Sequence, residues 1–303
     1  MKLRTNILIV GGTGFIGYHL AKFALKKGWD VTSISTKPAK KFRYIPKVKY
    51  IFCDISKKKI LEKKIKKSFK YVVNLAGHVD HSNKMKTLKS HYTGCKNLTD
   101  IFLEKPPKAF VQMGSGAEYG RLKSPQKENS KCTPKSAYGR AKLLSSEHLM
   151  HLFKRKKFPS TVLRLYQAYG PKQDLNRFLP IAIVNCIKNK KFPTSAGKQF
   201  RDFVHVNDVV DSIIKSLTSK KAKGHIINIG SGKPKKIKNI ILNVKKILKG
   251  GHPQFGAIKL RKDEILKIYP SIRKAKNKIK WEPRISFETG LQNTIKFYNE
   301  QTI

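Results

Sequence analysis

Three side chains of this 303-residue sequence suit acid–base work at a carbonyl or an alcohol. Tyr138 and Lys142 stand four apart in Tyr138-Gly139-Arg140-Ala141-Lys142, which puts a phenol and an ammonium on one face of a helix. A free phenol titrates near pH ~10 and catalyses poorly at neutral pH until a cation favours its phenolate. Lys142 is placed to be that cation. Upstream, Gly114-Ser115-Gly116-Ala117-Glu118-Tyr119-Gly120 sets the hydroxyl of Ser115 just after a β-rich run, where it can polarise a carbonyl. In a chain with 66 Lys+Arg the tyrosine–lysine pair says little by itself. It gains weight from Gly11-Gly12-Thr13-Gly14-Phe15-Ile16-Gly17, which follows the apolar run Asn6–Val10. Glycines at 11, 14 and 17 permit a tight turn and a close approach of backbone N–H groups to a diphosphate, and a helix beginning there adds a favourable dipole.

The elements that must carry these residues are legible as alternation. Asn6–Val10, Val31–Ile34, Val48–Phe52, Tyr71–Leu75, Phe110–Met113 and Thr161–Leu165 read as strands. Phe15–Lys27, Ile60–Lys67, Met85–Glu104 and Ala137–Phe153 read as helices. Such alternation predicts an α/β fold, a doubly wound parallel sheet of the Rossmann kind with helices on both faces. Beyond Gly170-Pro171 the pattern loosens, although Val204–Val210 and His225–Ile229 still look strand-like. We expect residues 1–170 with 203–230 to form the dinucleotide-binding domain. Residues 171–202 with 231–303 would form a smaller C-terminal substrate-binding cap over the carboxyl edge of the sheet, where ligands bind in such folds.

The end of the second strand bears on which dinucleotide is bound. An NAD site places Asp or Glu there to grip the ribose 2′-hydroxyl. This chain reads Ser33-Ile34-Ser35-Thr36-Lys37, and Asp30 lies too early to serve. Ser35 and Lys37, with Lys40 or Lys41 behind, could instead hold a 2′-phosphate. NADP(H) is therefore favoured, with NAD(H) left open.

Composition narrows the class. Lys+Arg of 66 against Asp+Glu of 18 give a formal charge of +48. A field so positive attracts polyanions. A groove for bases would favour arginine forks and interleaved aromatics, whereas here lysine is spread through every segment. A lysine-biased solvated surface is the plainer reading, and nucleic acid is not the expected partner. Cys53, Cys95, Cys132 and Cys186 lie far apart with no Cys-x-x-Cys pair, against a zinc ribbon or a disulfide framework. No apolar run approaches the ~18 residues of a membrane span. The start, Met1-Lys2-Leu3-Arg4, is followed by an apolar run that glycines break at once, so a signal peptide is not expected. We expect a cytoplasmic protein with no membrane partner.

Glycine turn, serine, tyrosine and lysine, in that order, resemble the extended short-chain dehydrogenase/reductase family, the NAD-dependent epimerases and dehydratases that act on nucleotide sugars. The resemblance runs along nearly the whole chain. Asp54-Ile55 resembles the family's adenine-contacting pair, and Asn74-Leu75-Ala76-Gly77 its loop along the cofactor. Tyr169-Gly170-Pro171, Asn176-Arg177-Phe178, Arg201-Asp202-Phe203 with Asn207-Asp208-Val209, and Trp281-Glu282-Pro283 agree with its C-terminal part.

What this implies is specific. Ser115, Tyr138 and Lys142 would be catalytic. Gly11, Thr13, Gly14, Phe15, Ile16, Gly17, Ser35, Lys37, Asp54, Ile55, Leu75, Ala76, Gly77, Tyr138 and Lys142 would hold the cofactor. Ser115, Arg201 and Arg261 would hold the substrate, the arginines at its diphosphate, with Asn176 or Arg177 near the nucleotide. His78 and His205 are left as structural, and no metal is implied.

Two departures matter. His91 stands where many members have Asn. The acid–base pair that dehydratases carry after the catalytic hydroxyl is here Gly116-Ala117, and Glu118, in a strand-like segment, would point the other way. Dehydration is therefore rejected. An NADPH-dependent reductase of a nucleotide-linked 4-keto-6-deoxyhexose is favoured, since the Gly-Ser-x-Ala-Glu-Tyr-Gly stretch looks most like CDP-abequose synthase and its relatives. A 4-epimerase with the same residues is the alternative, and a basic RNA-binding protein on this fold the remote one. A homodimer is expected, pairing the helices that contain Met85–Glu104 and Ala137–Phe153.

Overall fold

The computed structural model describes residues 4–77, 83–260 and 264–302. Its centre is set by strands whose side chains are apolar on both faces, as a sheet covered on both sides requires. In β1 (Asn6–Val10), Ile7 and Ile9 face one layer while Leu8 and Val10 face the other, all fully buried. In chain order follow α1 (Phe15–Lys26), β2 (Asp30–Ser35), β3 (Lys49–Phe52), α2 (Lys58–Lys64), β4 (Tyr71–Asn74), α3 (Lys84–Leu88), α4 (Gly94–Phe102) and β5 (Ala109–Ser115). Then come α5 (Ala137–Lys156), β6 (Ser160–Leu165), α6 (Phe178–Ile187), α7 (Val206–Thr218), β7 (His225–Ile229), α8 (Ile237–Leu248), α9 (Arg273–Ile279) and α10 (Phe287–Thr302).

The seven strands form one sheet in the order β7-β6-β5-β4-β1-β2-β3, every pairing parallel. The direction of winding reverses between β1 and β4. There the loops leaving the strands diverge and open a crevice at their carboxyl ends. One apolar layer packs α1, α7, α9 and Trp281 on the sheet. The other packs α2, α4 and α5, through Leu61, Leu98, Phe102, Leu149 and Leu152. A third cluster, from α6, α8 and α10, lies apart around Tyr169, Ile183, Ile241 and Leu291.

Three expectations are corrected. Val204–Val210 is not a strand: Phe203–His205 is a short one, and α7 begins at Val206. Val206, Val209, Val210, Ile213 and Leu217 are buried at helical spacing, while the His205 ring caps the helix by accepting the Asn207 N–H at 3.3 Å. A local run of valines hid that longer period. The helix expected over Met85–Glu104 is interrupted by a π-turn, Lys89–Thr93. The segment holding Glu118 is no strand: β5 ends at Ser115, and Gly116–Tyr119 is a 3-10 turn.

Candidate active site

The crevice holds a groove and a cavity of about 590 and 600 Å³, within the size range of ligand sites. The two share the walls Ile16, Leu75–Gly77, Met113 and Arg177. The floor of the groove is the glycine turn. Gly11 has φ +84°, and a Cβ there would press on the Leu75–Ala76 backbone at 3.0 Å. A Cβ at Gly17 would lie 2.3 Å from the Gly11 carbonyl oxygen. No side chain caps α1 at Gly14, and no acid sits in its first turn. Its first N–H groups therefore suit an anionic ligand. On these grounds the residues present fit a dinucleotide's diphosphate.

The rest of the groove is shaped by polar groups beneath it. The Asn74 amide donates to Gln112 Oε1 at 2.8 Å and its oxygen accepts the Ala76 N–H at 3.1 Å, which turns the Leu75–Gly77 loop along the groove. Asp54 accepts the Ser56 N–H at 2.9 Å, and Asn97 donates to the Ile55 carbonyl at 2.9 Å. Gly11, Thr13, Gly14, Phe15, Ile16, Gly17, Ser35, Asp54, Ile55, Leu75, Ala76 and Gly77 all line the groove.

Lys37 does not. It is exposed and outside the wall, while Ser35 and Thr36 belong to it. The Ser35 hydroxyl donates to the Ile34 carbonyl at 2.8 Å and accepts the Thr13 N–H at 3.3 Å, tying strand to turn. Lys40 is drawn away to Asp174 at 2.8 Å. The buried Arg43 reaches Asp174 at 3.2 Å and the Lys172 carbonyl at 2.9 Å, and Lys172 donates to the Phe42 carbonyl. These bonds clasp the loop after β2 to the loop after Pro171 at the edge of the groove, where Asp174 forms part of the wall. Lys40 and Asp174 lie 134 residues apart, and nothing local in the sequence signals the clasp.

Ser115, Tyr138 and Lys142 line the cavity together with His91, Arg177 and Arg201. Ser115 ends β5, and Ser136 caps α5 by accepting the Gly139 N–H at 3.0 Å, setting Tyr138 in its first turn. Burial raises the Tyr138 pKa and a hydrogen bond with Ser115 pulls it back. Lys142 is buried, and its ammonium donates to the Met113 carbonyl at 2.6 Å. Desolvation lowers its pKa to about 8, against the pull of Glu118. Its nitrogen is 6.0 Å from the centre of the Tyr138 ring.

Glu118 has turned into the core. It is fully buried, accepts the Ser115 N–H at 2.8 Å and the Ser146 hydroxyl at 2.8 Å, and pairs with buried Arg164 at 2.7 Å. It is thus withdrawn from the cavity, though by a tight turn rather than by strand alternation. Arg201 pairs with Glu264 and also donates to the Phe200 carbonyl at 2.8 Å. Asn176 is exposed and outside both cavities, so the structure brings Arg177 but not Asn176 to the site. Arg261 and His78 lie outside the described residues. No group of metal-ligating side chains is found among the described residues.

A parallel sheet with a glycine turn at its switch point, facing a serine–tyrosine–lysine set in one cavity, defines a nucleotide-cofactor α/β enzyme. Residues 7–230 match the model of the NAD dependent epimerase/dehydratase family, and the chain belongs to that family of extended short-chain dehydrogenases/reductases. It is similar to the UDP-glucuronate 4-epimerase of Thermodesulfobacterium geofontis, 28% identical over 97% of this chain and 96% of that one. Two crystal structures share the fold. UDP-glucose 4-epimerase from Thermotoga maritima with UDP-glucose has a TM-score of 0.93 at 24% identity, covering 99% of this chain and 100% of that one. UDP-glucuronic acid 4-epimerase from Bacillus cereus with UDP-glucuronic acid and NAD has a TM-score of 0.86 at 24% identity, covering 99% and 100%.

Proposed function

We propose that the protein is a nucleotide-sugar 4-epimerase that holds NAD in the groove and the sugar of a UDP-linked substrate in the cavity. The observation that carries this is continuity. Groove and cavity meet at Leu75–Gly77 and Met113, so a dinucleotide held on the glycine turn would have an open way to the cavity that Ser115 and Tyr138 line. When bound, NAD supplies the acceptor and then the donor of a hydride at the sugar's C4.

The chain's own residues handle the proton. Tyr138 takes it from the C4 hydroxyl and later returns it. Ser115 binds that oxygen and, by its hydrogen bond, favours the phenolate. Lys142, with a pKa of about 8, is charged at neutral pH and adds a cation near the phenol. Arg177 lines the cavity and suits the diphosphate; Arg201 lines it too, and would serve there only on leaving Glu264. An apolar cavity of about 460 Å³ lined by Phe178, Phe192, Phe203 and Ile258 adjoins Arg201 and suits the base. In this reading residues 1–170 with 203–230 bind the cofactor and 171–202 with 231–303 form the substrate cap, save α9 and Trp281, which pack on the sheet of the cofactor-binding part. Gly116 and Ala117 offer no acid or base for eliminating water, and Glu118 is held in the core.

The test is to incubate the purified protein with UDP-glucose or UDP-glucuronic acid, without added cofactor, and follow the C4 epimer by proton NMR. One equivalent of NAD should be released on denaturation. Ser35 at the end of β2, in place of an acid, favours a second reading: reduction of a nucleotide-linked 4-keto sugar by NADPH. Loss of added NADPH in step with product, and no epimer formed, would select it.

A further inference from the structure

We propose that His91 is a positioning residue that fixes the Tyr138 ring relative to the Leu75–Gly77 loop. The proposal rests on the reading of Tyr138 as the acid–base group. His91 sits in the π-turn between α3 and α4, and the added residue in such a turn re-aims side chains, often at functional sites. Here the ring is buried and lines the cavity.

It touches both working parts at once. Its ring meets that of Tyr138 edge-on, with centroids 5.2 Å apart and planes at 73°. It also fills the space over Gly77, where a Cβ would lie 1.8 Å from Cε1 and 2.4 Å from Nδ1 of the imidazole. Its backbone is anchored to the helix that carries Tyr138: the Ser145 hydroxyl lies 3.0 Å from the His91 carbonyl and 2.9 Å from that of Ala141, and its one proton is shared between them. Gly77 borders both groove and cavity. The imidazole is thus a spacer between the cofactor-side loop and the phenol.

The experiment compares kcat and KM for His91→Ala, His91→Phe, Gly77→Ala and the Gly77→Ala/His91→Ala double variant on UDP-glucose. His91→Ala should lower kcat by ~10²-fold with KM little changed, because aim is lost while the diphosphate contacts remain. His91→Phe, which keeps a ring edge on Tyr138, should recover most of kcat. Gly77→Ala should damage the wild type but add little to His91→Ala, the coupling expected of two groups competing for one space. Wild-type kcat in His91→Ala, or equal damage from Gly77→Ala in both backgrounds, would overturn the proposal.

Should His91→Ala not fold, His91→Asn reads the same arm. A wild type inert on nucleotide sugars would sink the functional reading instead. Absorbance titration of the phenol, taken as the difference from Tyr138→Phe, still decides the role of His91. Removing the ring should move that titration toward its ordinary value, and no movement overturns the proposal.

Discussion

Replacing Glu118 by Gln changes almost no volume but removes the charge opposite Arg164. Both side chains are buried, at 0% and 2% exposure, and their contact is 2.7 Å. Glutamine can still accept the Ser115 N–H, but the guanidinium loses its counter-ion in a place water does not reach. Arg164 Nη1 already has no hydrogen-bond partner, and the guanidinium lies 4.5 Å over the Tyr119 ring. Removing one member of a buried ion pair costs ~3–5 kcal/mol, a large share of a usual stability of ~5–15 kcal/mol. At ~2–4 °C per kcal/mol for a sizeable domain, the melting point should fall by roughly 6–20 °C. Urea unfolding at constant m-value is the assay. The Glu118→Leu/Arg164→Met pair should lose far less, because it leaves no charge behind. A Glu118→Gln variant within ~1 kcal/mol of wild type but devoid of activity would refute the reasoning. Glu118 would then be a working base, and the rejection of dehydration would fall with it.

Three further outcomes are expected. Tyr138→Phe should reduce kcat by ~10²–10⁴-fold while NAD still co-purifies; a variant keeping a third of wild-type activity would remove Tyr138 from its role. The imidazoles of His205 and His19 are held near pKa about 4, chiefly by burial, so between pH ~4 and ~6.5 the unfolded chain binds more protons and stability must fall as pH drops through that window. For His205 the full shift is worth about 3 kcal/mol, and His205→Asn, which still offers a cap, should flatten the slope of urea midpoint against pH. Lys37→Ala should change NADH and NADPH dissociation constants alike in fluorescence titration, since the ammonium lies outside the groove wall; a selective loss of NADPH would return Lys37 to the 2′-phosphate.

What was legible in the sequence was what repeats locally. The unbroken apolar run of β1, the glycine spacing and the four-residue step from Tyr138 to Lys142 each lie within one element, so pattern alone places them. The seventh strand, His225–Ile229, was visible for the same reason. Misreadings arose where a distant partner overrides a local pattern. Val206–Val210 has the composition of a strand, but the His205 cap and the burial of Ile213 and Leu217 make it helical. Glu118 belongs to a strand-like run until Ser115, Ser146 and Arg164 claim its carboxylate from three different elements. The π-turn at His91 carries no signature in residue type.

The cofactor end of the groove shows the same limit with a consequence for function. Lys37, Lys40 and Lys41 follow the second strand, and read locally they make a phosphate site. In the folded chain Lys40 and Arg43 are committed to Asp174 and the Lys172 carbonyl. The carboxylate is held below its usual range by these two cations, so the clasp is fully formed at neutral pH. A cation already paired offers little to a 2′-phosphate, which weakens the case for NADP. The same bonds join the two loops at the groove's edge, and Asp174 stands in its wall. A reductase must release its oxidised cofactor at every turnover, so such a clasp would slow it. An epimerase regains its starting cofactor within each cycle and is helped by retention. Asp174→Asn separates these cases, since it keeps the shape but removes the charge that holds Lys40 and one of the bonds of Arg43, leaving Arg43 on the Lys172 carbonyl. Exchange of bound NAD against labelled NAD should quicken several-fold, the effect of losing roughly 1 kcal/mol from a half-exposed pair. Unchanged exchange would mean that the clasp holds only the loops, and retention would no longer favour epimerisation over reduction.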